Sequence, residues 1–336
     1  MTNTRRVVID VDYMGTNITT DLAPNLLSFK YNDNEGKSDE IQIDLEDRDR
    51  KWQDPWLPGE GDKITAAIKL LNWREDGEVS QLDCGTFFVD DVSFKGPPDT
   101  VSIKAMSVPF NDGGKDTEHT RAWENATLPA ILGDVAASSG LTLVYDAPVF
   151  TYDRVDQTRE TNLAFAKRVA KKEGLSIKVT SGQLVIYGEL TYESKSTVRT
   201  ITRGESDVLS YSFNKTAAEK KYKTAEVSYF DDKKKKNVKY VYQVPGVDKG
   251  PVLKINKRAK NIDEAKRWAQ AEARAKNKKS KTGKLTMMGD ENLIQGVTVD
   301  LKNFGAFDGK YFIESAGHGV TGGYTVDIDI REVLSY

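Results

Sequence analysis

Cysteine, histidine and long apolar runs are what this 336-residue chain has least of. Its one cysteine, Cys84, excludes an internal disulfide and a thiolate metal site, and it reads as a small core residue beside Phe87 and Phe88. No apolar run approaches the roughly 18 residues that span a bilayer, so no membrane contact is expected. The N-terminus lacks the apolar core of a signal peptide. Val7-Val8-Ile9-Asp10-Val11-Asp12 alternates like a strand instead, which points to synthesis in the cytoplasm. Also missing are a G-x-S-x-G elbow, a phosphate-binding P-loop and a zinc-protease helix.

Two histidines, His119 and His318, leave little for imidazole chemistry. His318 shares strand parity with Glu314, which makes the two a candidate pair. A metal wants three or more ligands, and no third stands out. His119 falls in the loop that starts at Gly113 and is expected in solvent. Asp327 and Asp329 alternate to one face of a strand, as a solvent- or tube-facing surface would have them. Catalysis, a metal and a cofactor are therefore not expected.

With 38% apolar and 30% charged residues the composition is globular, and the length suffices for two or three cores. The net charge of −2 conceals a split. Residues 1–100 are acidic, whereas 215–284 are basic, with Lys233, Lys234, Lys235 and Lys236 in one run and a second stretch from Arg274 to Lys284. Opposite signs on two parts of one chain suit ordered subunit contacts or a charged channel. The four lysines, flanked by Ala225–Phe230 and Val238–Tyr242, read as a hairpin tip and as candidate subunit-contact residues. Tyr229, Phe230, Tyr240 and Tyr242 alternate with strand period, as core and cross-strand pairs do.

Residues 1–108 alternate with period two in run after run, such as Ile41-Gln42-Ile43-Asp44-Leu45, separated by Gly, Pro, Asn and Asp turns. Trp52, Trp56 and Trp73 in this part are read as core and loop anchors, with an inter-subunit contact at one of them as the alternative. Residues 109–207 change character. Thr127 caps a helical run with Pro129 in its first turn, Gly140 ends it and Leu141–Tyr145 follows as a strand. The same arrangement returns 34 residues later with Thr161, Phe165 and Gly174, so a small α/β module built from a duplicated piece is expected. Residues 208–336 return to strands around one helix, 261–276, which Asn261 and Glu264 start as a capping box. The segment Thr282–Glu332 reads as an antiparallel meander of about four strands, with turns at Phe307-Asp308-Gly309 and Thr321-Gly322-Gly323. The fold class expected is mainly β with an α+β insertion.

The order and spacing of Thr282, Gly283, Leu285, Gly289, Asp290, Leu293, Gly296, Phe307, Asp308, Gly309, Tyr311, Glu314, His318, Gly322, Gly323, Tyr324 and Thr325 resemble the C-terminal part of the phage late control protein D family. The turn Pro58-Gly59-Glu60-Gly61-Asp62, the strand Gly85–Val92 and the block from Asn162 to Gly188 resemble that family's motifs too. One departure is Arg274-Ala275, where the family has a large residue near the end of its helix, so the packing there is expected to differ. The resemblance implies two tube-like β-barrel or sandwich domains, 1–108 and 208–336, flanking the α/β module.

It further implies a baseplate hub of a contractile phage tail or tail-like particle, related to the hub domains of contractile injection systems. In such a hub a homotrimer forms a pseudo-sixfold ring that joins the tail tube to the central spike. Implied partners are the spike protein, the tail tube or tube-initiator protein, baseplate wedge proteins and DNA passing through the lumen. The implied location is the virion baseplate, assembled in the host cytoplasm. Two alternatives remain on the residues alone: a soluble module binding nucleic acid or polysaccharide through its basic face, and a cell-wall hydrolase using scattered carboxylates.

Overall fold

The computed structural model describes residues 4–109, 117–215, 221–231 and 235–336. Its fold is mainly β. The first unit comprises β1 (Arg6–Tyr13), β2 (Thr16–Asn17), the one-turn helix α1 (Thr19–Leu22), β3 (Leu26–Asn34), β4 (Glu40–Glu46), β5 (Lys63–Leu71), β6 (Val79–Lys95) and β7 (Thr100–Met106). Their alternation turns Phe29, Ile41, Ile43, Ile68 and Phe87 onto one core, where Cys84 also lies buried.

A module follows, with β8 (Glu118–Thr127), α2 (Leu128–Ser138), β9 (Thr142–Asp146), β10 (Thr151–Thr161), α3 (Asn162–Lys172), β11 (Leu175–Thr180), β12 (Gln183–Gly188) and α4 (Glu189–Glu193). The two helix–glycine–strand units share their caps. The hydroxyls of Thr127 and Thr161 accept the amides of Ala130 and Ala164, and both helices stop before a left-handed glycine, Gly140 and Gly174. Each copy also includes a preceding strand, since β8 and β10 pair with one another. His119 lies in β8, half-buried, rather than in a solvated loop. The polar–apolar alternation of a two-stranded ribbon is weak because little of it is covered.

The chain continues through β13 (Arg199–Thr202), β14 (Val208–Lys215), β15 (Thr224–Asp231), β16 (Lys236–Gln243), β17 (Val252–Ala259), α5 (Ile262–Asn277), β18 (Lys281–Met288), β19 (Thr298–Lys302), β20 (Gly309–Val320) and β21 (Tyr324–Glu332). The last four strands are not a plain meander. β19, β20 and β21 are consecutive neighbours, but β18 adds on the far side of β21 and carries β14. Order in space is not readable from alternation, which reports only which face is buried. The glycine turns do fall as expected, with Gly309 at φ 126 and Gly322 at φ 66.

The first unit and these closing strands repeat one pairing scheme. β3-β4-β7-β6 matches β14-β18-β21-β20, and β5 beside β6 matches β19 beside β20. The bulges coincide: Leu27 and Leu209 are the extra residues in β3 and β14, and Asp90 and Glu314 those in β6 and β20. Entry into the outer strand coincides too. Gly61 donates to the Val89 carbonyl as Gly296 does to that of Ile313, both glycines having φ > 0. The units differ where β14 joins β18. The first unit has a tight turn there, whereas the second inserts the sheet β16-β15-β17 with α5 packed on it.

The two units are joined within the chain by β20 pairing with β3, from Ser315↔Asn34 to Val320↔Phe29. Trp73 clamps the same junction. Its Nε1 donates to the Gly289 carbonyl at 2.7 Å, and its ring lies 5.7 Å from that of Tyr324. A Cβ on Gly289 would fall 2.0 Å from Tyr324 Cδ1. Gly289→Ala is expected to lower stability by about 1–3 kcal/mol through overpacking, read from the urea midpoint. An unchanged midpoint would mean that Tyr324 is free to move aside.

Candidate assembly surface

Four segments far apart in sequence meet in a buried ionic knot. Arg331 of β21 is wholly buried and reaches Glu189 at 3.1 Å, Glu193 at 2.6 Å and Glu314 at 3.0 Å. Arg274 of α5 reaches Glu193 at 2.6 Å and Glu189 at 3.3 Å, and Lys278 reaches Glu189 at 2.5 Å and Glu35 at 3.8 Å. Arg274 is the residue that departs from the family pattern, and its packing role is electrostatic.

Four carboxylates thus face three cations. Burial pushes Glu35 up, only partly opposed by Lys278, while burial of Glu189 is overcome by Lys278 and Arg331, which hold it at about 2. Ser176 Oγ lies 2.6 Å from Glu35 and 2.9 Å from Glu189. A hydroxyl has one proton to give, so Ser176 donates to one of the two carboxylates at a time. Glu189 and Glu193 carried no signal in the sequence, because Glu-Leu-Thr-Tyr-Glu reads as an ordinary surface turn.

The knot also takes up much of the second basic stretch. Arg274 and Lys278 are spent in it, and Lys281 lies 3.6 Å from Glu332. The first basic run is different. Lys233 and Lys234 lie outside the described residues, while Lys235 and Lys236 are exposed at the turn between β15 and β16.

His318 and Glu314 do not pair. The bulge at Glu314 breaks the parity between them, and Glu314 turns to Arg331. His318 is buried in β20, with Nδ1 2.8 Å from the Tyr324 hydroxyl and its ring stacked on Tyr31 at 5.8 Å. Burial lowers its pKa to about 4, so it sits neutral in the core. No group of three or more His, Cys, Asp or Glu placed to hold a metal occurs among the described residues. No described helix is long and apolar enough to cross a membrane.

The module is fastened to the turn between β3 and β4. Gly36 N donates to the Ile177 carbonyl at 2.8 Å, Asp39 N to that of Val179 at 3.1 Å, and Ser107 Oγ to the same oxygen at 2.7 Å. Lys178 pairs with Asp33 and lies 3.5 Å from Asp39. Burial of Asp39 outweighs Lys178 and lifts its pKa to about 7.

Among the described residues, two free edges of the large sheet carry exposed apolar side chains. β14 ends the large sheet, and its Leu209 and Tyr211 are exposed. Tyr211 and Phe213 meet Phe304 edge to face, and Phe213 stacks on Phe307. The second half of β6 pairs β7 on one side, while β5 covers only its first half on the other. There Phe94 is 43% exposed. By the matched pairing it stands where His318 stands in β20, the residue that β3 covers.

Two substitutions test these interactions. Arg331→Met leaves buried carboxylates unpaired and should cost about 3–5 kcal/mol in denaturant unfolding; a loss within error would mean the knot is solvated. For pH, folded Asp39 keeps its proton up to about 7 while the unfolded group releases it near 3.8, so its contribution is lost as pH rises through that window. His318 works oppositely: the unfolded ring takes a proton below 6.5 and the folded one only near 4, so its contribution is lost as pH falls. Asp39→Asn should therefore make stability rise more steeply with pH between 4 and 6.5 than in the parent, by at most about 1.4 kcal/mol per unit. Superimposable pH profiles would refute the assignment.

Residues 112–323 match the family model described as phage tail baseplate hub (GPD). Probable baseplate hub proteins of Escherichia phage 186 and phage P2 are 28% and 29% identical over 197 and 207 residues, covering 56% and 58% of this chain. The matches cover 48% and 51% of those proteins, so the chain spans about half the length of the curated relatives it matches. Similar solved structures include a tail protein from Neisseria meningitidis, with TM-score 0.71, 13% identity and 97% and 96% of the two chains covered. A prophage tail protein from Shewanella oneidensis has TM-score 0.68 and 16% identity, with 97% and 98% covered. An E. coli type VI secretion component, described as structurally similar to phage T4 tail proteins, has TM-score 0.59 and 9% identity, with 98% and 77% covered. At these identities the structures establish the fold.

Proposed function

The chain belongs to the phage tail baseplate hub family, and from that premise we propose that three copies close into a ring of six β-units joining the tail tube to the central spike. The observation that carries the reading is the matched pairing of the two units. β20 meets β3 inside the chain, and the equivalent strands keep a free edge, β14 along its length and β6 along its second half. Joining β6 of one copy to β14 of the next repeats the internal junction. Such head-to-tail contacts generate a ring when their rotation closes, here with two units per chain.

The match also sets the register between copies. Tyr31 faces His318 and Asn32 faces Gly317 inside the chain, so Phe213 would face Phe94 of the neighbour, and Asn214 its Ser93. Phe94 then buries its exposed ring against an aromatic cluster that already exists. The charges agree with this order. Residues 1–108 carry 21 Asp and Glu against 12 Lys and Arg, and residues 215–284 carry 8 against 22, so each junction brings an acidic unit to a basic one. The lysines at 233–236 are read as further subunit contacts on that basic side.

Symmetry adaptation follows from where the units differ. The strands repeat six times around such a ring, but the inserted sheet with α5 and the α/β module repeat three times. One surface then suits a sixfold tube and another a threefold spike, with wedge proteins outside and the lumen open to DNA. The reading is of a structural protein without a catalytic step, located in the virion baseplate and assembled in the host cytoplasm.

The test is mass by light scattering, alone and with the candidate spike, together with a cysteine pair. Ser93→Cys with Asn214→Cys should give crosslinked multimers ending at a trimer, and Phe94→Asp should weaken association by about 2–3 kcal/mol. A stable monomer indifferent to the spike, with no crosslinks, would overturn the ring.

A further inference from the structure

A second surface lies away from the two open edges. Between the turn joining β3 and β4, helix α3 and the last turns of α5 runs an open groove of about 800 Å³. Its floor is the paired side of the ionic knot, where Lys278 reaches Glu35 and Glu189, and Arg274 reaches Glu189. Its rim is not closed. Lys37, Lys167, Lys171, Lys276 and Lys279 all line it and all are exposed. Lys167 donates to the Gly36 carbonyl at 3.0 Å, which leaves its charge uncompensated. Glu272 is the one lining carboxylate on α5. Glu314 and Asp329, which also line the groove, are engaged by Arg331 and Lys284.

We propose that this groove docks an acidic segment of a partner polypeptide. Five ammonium groups gathered on a concave surface repel one another, and an acidic occupant removes that repulsion while gaining from the focused potential. Their arrangement selects among anions. Lys167 and Lys171 are one helical turn apart on α3, while Lys276 lies in the last turn of α5 and Lys279 just past its end. They form two rows rather than converging on one point, as a small anion would need. No free arginine fork for phosphate lines the groove, since its one lining arginine, Arg274, is already engaged by Glu189 and Glu193. A nucleic-acid strand relies on aromatic platforms for its bases, and Tyr222 is the only ring among the residues that line the groove. Carboxylates spaced along an extended chain match two rows of point charges.

The probe is a fluorescently labelled oligoglutamate of about ten residues, titrated into the full chain at roughly 50 mM salt, with anisotropy as the readout. Binding should be saturable and weaken at least about tenfold in Lys171→Glu/Lys276→Glu, while Lys235→Glu/Lys236→Glu at the distant hairpin leaves it unchanged. Circular dichroism of the variants checks that these exposed positions leave the fold intact. Equal affinity in parent and groove variant would overturn the proposal. So would tighter binding of an oligothymidylate of equal charge with the same lysine dependence, which would make the surface one for nucleic acid. A loss of the oligomer mass on reversing Lys171 and Lys276 would also overturn it, by assigning the groove to a second copy. Failure of the ring, by contrast, would appear in the mass and crosslinks of the unsubstituted groove.

Discussion

Everything in this molecule is arranged around the pairing of β20 with β3. A strand of 12 residues serves the second unit with its first half and the first unit with its second half. The bulge at Glu314 lets it do both, because the extra residue turns the strand and re-aims its side chains. Past that point the strand can offer Gly317 and His318 to β3 while β21 stays paired along its other side. Backbone groups at a sheet edge must find partners, and here two units meet that need in one continuous sheet. β6 has the same bulge and the same half-covered length, which is why its open edge carries such weight in the proposed ring.

The ionic knot has a different task. It ties α4 of the module, α5 of the insertion, β21 and the end of β3 to one point. Replacing a buried ion pair by apolar groups is often neutral for stability, whereas removing one partner is not. Its value in this fold is that the full set of pairs forms only when all of these segments are in place. That condition fixes the module and the insertion relative to the sheet, and so fixes the lysine rim that lies above the knot.

Both surfaces discussed as contacts follow from what those two features leave over. The sheet leaves two matched edges with exposed rings, Phe94 and Tyr211. The knot consumes the cations that point inward from α5 and leaves Lys276 and Lys279 outside. A basic stretch that looks uniform in the chain is therefore divided by the fold into a structural half and an available half.

The sequence by itself determined the mainly β class, the helix started by Asn261 and Glu264, and the two helix–glycine–strand units. These depend on local rules, namely alternation with period two, hydroxyl or amide caps and left-handed glycines, and each is written within a few adjacent residues. The family motifs were legible for the same reason. Only the tertiary structure decided that β18 lies beyond β21, that Glu314 belongs to Arg331 and not to His318, and that Glu189 and Glu193 are buried. Strand order depends on which edges meet across more than a hundred residues. A carboxylate's fate depends on which cations the fold carries to it, and neither is encoded in the neighbours along the chain.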